Sequence, residues 1–176
     1  MTNNLILYKK LKVEFTKKSI INGLIIYSLG DTVAALILQQ FSLTRLVGIS
    51  LVGAFVYSFE IPNYFRWIDK KTSSENSELK SVKKSLFRTA LALLYFNPIW
   101  IARHLLFIQL FSGNFAAINL SLLFIASKSF LINIPLSLTA NYFIQNVLSY
   151  KYRFAASAIF SSLMAIYYAM SAVWFK

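Results

Sequence analysis

Residues Gly53–Lys71 read GAFVYSFEIPNYFRWIDKK. The first half is apolar, a glutamate and a proline follow, and the end alternates aromatic with charged residues. The pattern makes sense once the solvent is a bilayer. Glu60 then lies about one turn from the end of an apolar helix, where its carboxylate reaches water or a neighbouring base at modest cost. Pro62 lacks a backbone donor and is expected to end or kink that helix. Tyr64, Phe65 and Trp67 form an interfacial aromatic belt, with Arg66, Lys70 and Lys71 on the inner side. Arg66 and Asp69, three apart, are placed to pair across one turn if the helix resumes.

Composition supports that choice of solvent. Of 176 residues, 57% are hydrophobic and 14% charged, with a mean hydropathy of +0.59. Soluble domains carry about 25% charge and about 45–50% apolar residues. A single soluble core of this size has no room for so many apolar side chains. The chain reads as an integral membrane protein, an all-α polytopic bundle forming one domain over 1–176. Its net charge of +12 sits between apolar runs, where it flanks a membrane and faces anionic lipid. No polar segment is large enough to present a groove-reading surface, so nucleic acid is not an expected partner. The absence of cysteine removes disulfides, thiolate metal sites and cysteine nucleophiles together.

Five apolar runs follow one another, at Ser19–Gln39, Leu43–Tyr64, Leu86–Phe111, Phe115–Phe143 and Phe154–Phe175. Each reaches the roughly 20 residues that carry a helix across about 30 Å of hydrocarbon. None alternates with period two, and backbone satisfaction in lipid makes them helices. The fourth holds Lys128 and Pro135, so four or five are true spans. Basic and neutral loops alternate. Lysines 9, 10, 12, 17 and 18 precede the first run, and residues 39–44 carry no basic side chain. Arg66, Lys70, Lys71, Lys80, Lys83 and Lys84 fall in the next loop, Ser112–Asn114 is neutral, and Lys151 and Arg153 precede the last run. By the positive-inside rule the N-terminus is inside. Residues 1–18 form a basic arm whose Leu7, Leu11 and Phe15 share a helical face, as in an interfacial amphipathic helix. The first run is too long for a signal-peptide core, and no small-x-small cleavage site follows it. Residues 70–84 are the polar inside loop.

Ionisable groups within apolar spans are costly and call for a partner or a hydrated cavity. Asp31, Glu60, Arg103, His104 and Lys128 are the candidates. Asp31, Arg103 and Lys128 fall at similar depth once alternate spans are reversed, so Asp31 is expected to pair with Lys128 or Arg103, or to line a hydrated path with them. His104 is the only histidine and has no second ligand nearby, so no metal is expected. In the last span Ser157, Ser161, Ala165 and Ala169 recur every four residues, a small-residue stripe suited to close helix packing within the bundle or between copies in a homo-oligomer.

The order of residues resembles the Mpv-seventeen/peroxisomal-membrane-protein family. The family's Gly-Asp is matched by Gly30-Asp31, and its Arg, Gly and Arg-x-x-Asp by Arg45, Gly53, Arg66 and Asp69 without a gap. Its Phe-x-Pro is matched by Phe96 and Pro98, a later Pro and Asn by Pro135 and Asn141, and its Tyr-Arg by Tyr152-Arg153. Ser58-Phe59 stands where the family has Gly-Pro, and Glu60 is outside the pattern. The resemblance implies a compact helical bundle in a mitochondrial inner or peroxisomal membrane that passes small metabolites with little selectivity. NYFIQN (Asn141–Asn146) also echoes small bacterial glycolipid flippases, without their repetition in the first half.

The expected function is therefore a passive pore for small polar solutes or ions, without a cofactor. The alternatives are a non-conducting structural or assembly protein and a flippase-like protein. A mixed acid-and-base lining suits low selectivity. No enzyme is expected, because no hydrolase, zincin or phosphate-loop pattern occurs.

Overall fold

The computed structural model describes residues 13–74 and 81–175, and among these the chain is helical without a strand. Helix α1 (Lys17–Ile37) starts where the Thr16 hydroxyl accepts a hydrogen bond from the Ser19 amide. It stops where the Gln40 amide reaches the Ala35 carbonyl and the Gln39 amide that of Leu36, with Gln39 at φ 55°. Helix α2 (Leu43–Leu51), capped by Ser42, runs through a π-helical turn (Val52–Tyr57) into α3 (Ser58–Ser74). Helix α4 (Ser81–Tyr95) and α5 (Pro98–Phe111) are separated by a break at Phe96 and Asn97. There Asn97 accepts from the Ile99 and Trp100 amides, and Pro98 opens α5, where no donor is needed. A short 3-10 turn (Phe115–Ala117) leads to α6 (Ser121–Asn146), and α7 (Tyr150–Trp174) closes the chain.

Five rods result. Four of them, Lys17–Ile37, Leu43–Thr72, Val82–Phe111 and Ser121–Asn146, are long and apolar enough to cross a bilayer. Three boundaries differ from the sequence expectation. Pro62 does not end its helix: it is buried, and beyond it the Asn63 side chain donates through Nδ2 to the Phe59 and Glu14 backbone carbonyls. The loop at 70–84 is shorter, since Lys70–Ser74 continue α3 and Ser81–Lys84 open α4. The run at Phe115 becomes a crossing helix only from Ser121. Of the N-terminal arm, Leu7 and Leu11 lie outside the described residues, while Phe15 is exposed with its ring edge-on to Phe59.

The bundle is inverted relative to a soluble protein. Leu29, Leu43, Phe55, Leu94, Phe124 and Leu131 are more than half exposed on four rods, whereas Asp31, Arg45, His104, Asn141 and Gln145 are at most 2% exposed. Such an apolar surface belongs in lipid, and this is an integral membrane protein. Two close crossings set the interior. A Cβ on Gly23 would lie 2.2 Å from the Gly53 carbonyl oxygen, so α1 and the π turn meet backbone to backbone. A Cβ on Gly30 would lie 2.5 Å from that of Ser162, and the Ser162 hydroxyl donates to the Ile26 carbonyl, locking α1 along α7. One end of the bundle gathers the lysines of α1, α3, α4 and α7, and the turns at the other end, Gln39–Ser42 and Ser112–Asn114, are uncharged.

Candidate functional site

Asp31 is paired with Arg45. The guanidinium donates through Nε to Oδ2 at 2.8 Å and through Nη2 to Oδ1 at 2.7 Å, a two-pronged pair with both side chains buried. The expected partners, Lys128 and Arg103, are elsewhere. The reason is local: Asp31 and Arg45 stand equally far from Leu38, on either side of the α1–α2 turn, so the hairpin brings them to one height. Gly30, one residue before Asp31, permits the approach of α7 behind it. Lys128 faces outward from α6 and takes no part in the interior.

Glu60 and Arg103 form the second internal pair. Arg103 donates to both carboxylate oxygens at 2.9 and 2.6 Å, and the Tyr95 hydroxyl donates to one of them at 2.9 Å. The guanidinium carbon also lies 5.7 Å from the centre of the Tyr57 ring. Each charged side chain is about one-third exposed, at the rim of an open cavity of about 280 Å³ that Asn97, Ile99 and Trp100 complete.

At the basic end Asp69 gathers two arginines, Arg88 from α4 and Arg153 from α7, the latter at 2.7 and 2.8 Å. Arg66 pairs with Glu14, which also accepts from the Tyr150 hydroxyl at 2.7 Å. Arg66 and Asp69 therefore serve separate contacts instead of pairing with each other across a turn. Asp69 projects toward α4 and α7, where it can join three rods.

Between the ion pairs lies an aromatic and polar centre. Tyr27, Tyr57, Trp100 and His104 pack in sequence with centroids 4.6, 5.3 and 5.7 Å apart, the last pair stacked, and Tyr57 Oη shares a 2.9 Å hydrogen bond with His104 Nδ1. His104 Nε2 and Trp100 Nε1 are buried without a hydrogen-bond partner among the described residues, and Tyr27 Oη lies against the Ser161 hydroxyl.

Helix α6 supplies a series of which the sequence pointed to Asn141 alone, as a motif residue. Ser129, Asn133, Ser137, Asn141 and Gln145 recur at every fourth position, and each is at most 6% exposed. They extend over roughly 24 Å of helix and drift by about 40° per step, so the series follows a shallow spiral. Asn133 donates to Ser137 Oγ and Met164 Sδ, and Asn141 to the Ser137 carbonyl. Asn141 Oδ1 and both polar atoms of Gln145 have no hydrogen-bond partner among the described residues. The signal in the sequence is a four-residue polar period inside an apolar run, beside the stronger charge of Lys128, one residue before its first member.

Ser157 and Ser161 are buried inside the chain's own bundle, so these two hydroxyls cannot also face a second copy, and the side chains of Ala165 and Ala169 lie outside those described. Of the other motif residues, Phe96 is buried, Pro98 opens α5, Pro135 is exposed within an unbroken α6 and Tyr152 is exposed. Comparison with protein-family models, with curated proteins and with solved structures finds no match.

Proposed function

We propose that this chain is a passive, weakly selective membrane conduit for small polar solutes or ions, closed in this conformation. The observation that carries the proposal is the buried polar series Ser129–Gln145 on α6, in which Asn141 Oδ1 and both amide atoms of Gln145 have no hydrogen-bond partner among the described residues. A buried polar group without a partner costs about 1–3 kcal/mol, and apolar side chains would fill a purely structural seam without that cost. A hydrated path makes use of such groups. The closure is a collar of Phe96, Trp100, Phe160, Met164 and Tyr168 around Ser137 and Ser161, enclosing a void of about 10 Å³. That space accommodates about one water molecule and no solute. The resemblance to the Mpv-seventeen family supports the same reading, since the residues that carry it include both members of the Asp31–Arg45 and Asp69–Arg153 pairs. It further implies a mitochondrial inner or other organellar membrane in a eukaryote, while the basic arm before the first span suits the inner membrane of a bacterium equally.

Solute efflux from proteoliposomes tests the proposal. Met164→Ala should raise efflux of a small polyol at least several-fold over wild type, and adding Gln145→Leu should reverse the gain. Wild type and Met164→Ala that are both folded and both impermeable would remove the conduit. Such a result would favour a non-conducting assembly protein, a reading that the dry Asp31–Arg45 pair supports.

A further inference from the structure

The basic end of the bundle holds a cavity of about 400 Å³ between the first turns of α1 and α7, which also reaches Pro62 and Phe65 of α3. Its charged lining is Glu14, Lys18, Lys151 and Arg153. Two of these are already engaged. Glu14 accepts from Arg66 and Tyr150, while Arg153 donates to Asp69 and to the Leu148 carbonyl. Lys18 has no hydrogen-bond partner among the described residues, and Lys151 Nζ lies only over the Tyr152 ring, 4.7 Å from its centre. The Asn22 amide, half-buried in the wall, also has none among the described residues. Two cations and an amide donor therefore face a space whose one acid is neutralised.

The faces continuing from this cavity are apolar. Lys18, Asn22, Ile25 and Leu29 fall on one side of α1, since offsets of 4, 7 and 11 residues stay within about 60° of each other. Ile25 and Leu29 are exposed there, as is Ile159 on α7, eight residues beyond Lys151. A ligand that fits has an anionic head against the lysines and an apolar tail along α1 and α7.

We propose that this cavity binds the phosphodiester headgroup of an anionic phospholipid, with its acyl chains lying against Ile25, Leu29 and Ile159. Basic pockets between membrane helices are a recognised setting for acidic headgroups. Pro62, Phe65, Phe154 and Ala155 supply the apolar floor beneath the glycerol. The site does not depend on the conduit and persists if that reading fails.

Native mass spectrometry of the full chain released from detergent tests it, with phosphatidylglycerol and phosphatidylcholine of matched acyl chains in competition. Wild type should retain phosphatidylglycerol preferentially. Each basic group near the surface strengthens acidic-lipid binding about fivefold, so K18Q/K151Q should lower that preference roughly 25-fold. Asn22→Leu, which keeps both charges, should lower it several-fold. K83Q/K84Q removes the same charge from α4 at the same end and should leave it unchanged. Equal retention of the two lipids by wild type would overturn the proposal. An equal loss in K83Q/K84Q would overturn it as well, by assigning the preference to diffuse charge. Complete displacement of the lipid by millimolar inorganic phosphate would reassign the site to a soluble phosphate-bearing solute.

Discussion

Neutralising one half of the Asp31–Arg45 pair should cost far more than removing both halves. The two side chains are 3% and 2% exposed and joined by two short charge-assisted bonds. Asp31 lies roughly 9 Å inside the neutral end of α1, at six residues from Ile37, so neither group reaches water by stretching. Breaking a buried pair costs about 3–5 kcal/mol because the remaining charge is uncompensated, whereas an apolar replacement of both is often neutral. Asp31→Leu and Arg45→Met should therefore each destabilise by about 4 kcal/mol, and the double variant by about 1 kcal/mol or less. The coupling in that cycle is then about 7 kcal/mol in magnitude, beyond the range of ordinary neighbouring residues. Reversible unfolding in mixed micelles, followed by tryptophan fluorescence, supplies the free energies. Lys128→Gln, on the outer face of α6, should stay within about 0.5 kcal/mol of wild type. Additive single variants, or rescue of Asp31→Leu by Lys128→Met, would refute the assignment.

Two further outcomes rest on backbone geometry. Gly23→Ala and Gly53→Ala each drive a methyl into the carbonyl of the facing glycine, at 2.2 and 2.5 Å, and should lower stability by more than about 2 kcal/mol in the same unfolding assay. Gly113→Ala meets open space and should lose only about 1 kcal/mol, the cost of a side chain at φ +71°. Gln39→Gly should act in the opposite sense, raising stability by about 1 kcal/mol, because Gln39 now holds the left-handed position that closes α1. No gain there would mean that the Gln39 side chain makes a contact offsetting its backbone cost.

The membrane class, the helical rods and the basic-to-neutral alternation of loops were legible in composition and in the spacing of apolar runs. The pairing of charges was not, and the reason differs for each residue. Depth judged from the centres of separate spans placed Asp31 opposite Lys128 and Arg103. Distance from the turn at Leu38 instead brings out Arg45, seven residues beyond it as Asp31 is seven before. Depth alone cannot say which side of a helix a residue occupies, and Lys128 is at a plausible height on the lipid-facing side of α6. Glu60 was expected to find water or a nearby base, and it finds Arg103 and Tyr95. The Asp69 junction joins α3, α4 and α7, and no local spacing encodes a three-rod contact. The α6 series was readable in principle, because uncharged polar side chains at a fixed period mark a buried face as surely as apolar ones do in water.

The π-helical turn Val52–Tyr57 carries a consequence for how the second rod tolerates changes in length. The Ser58 amide bonds to the Gly53 carbonyl, five residues back, so this turn holds one residue more than an α-helical turn of the same bond pattern. Arg45 on one side and Tyr57 and Glu60 on the other are aimed correctly with that surplus residue in place. Shortening the chain by Phe55, which points outward, would let the turn tighten to ordinary α geometry while both flanking faces keep their phase. The same deletion at Trp67, ten residues beyond the wide turn, would turn every following side chain by about 100° and separate Asp69 from its two arginines. The wide turn makes this rod forgiving of a missing residue at one place along its length.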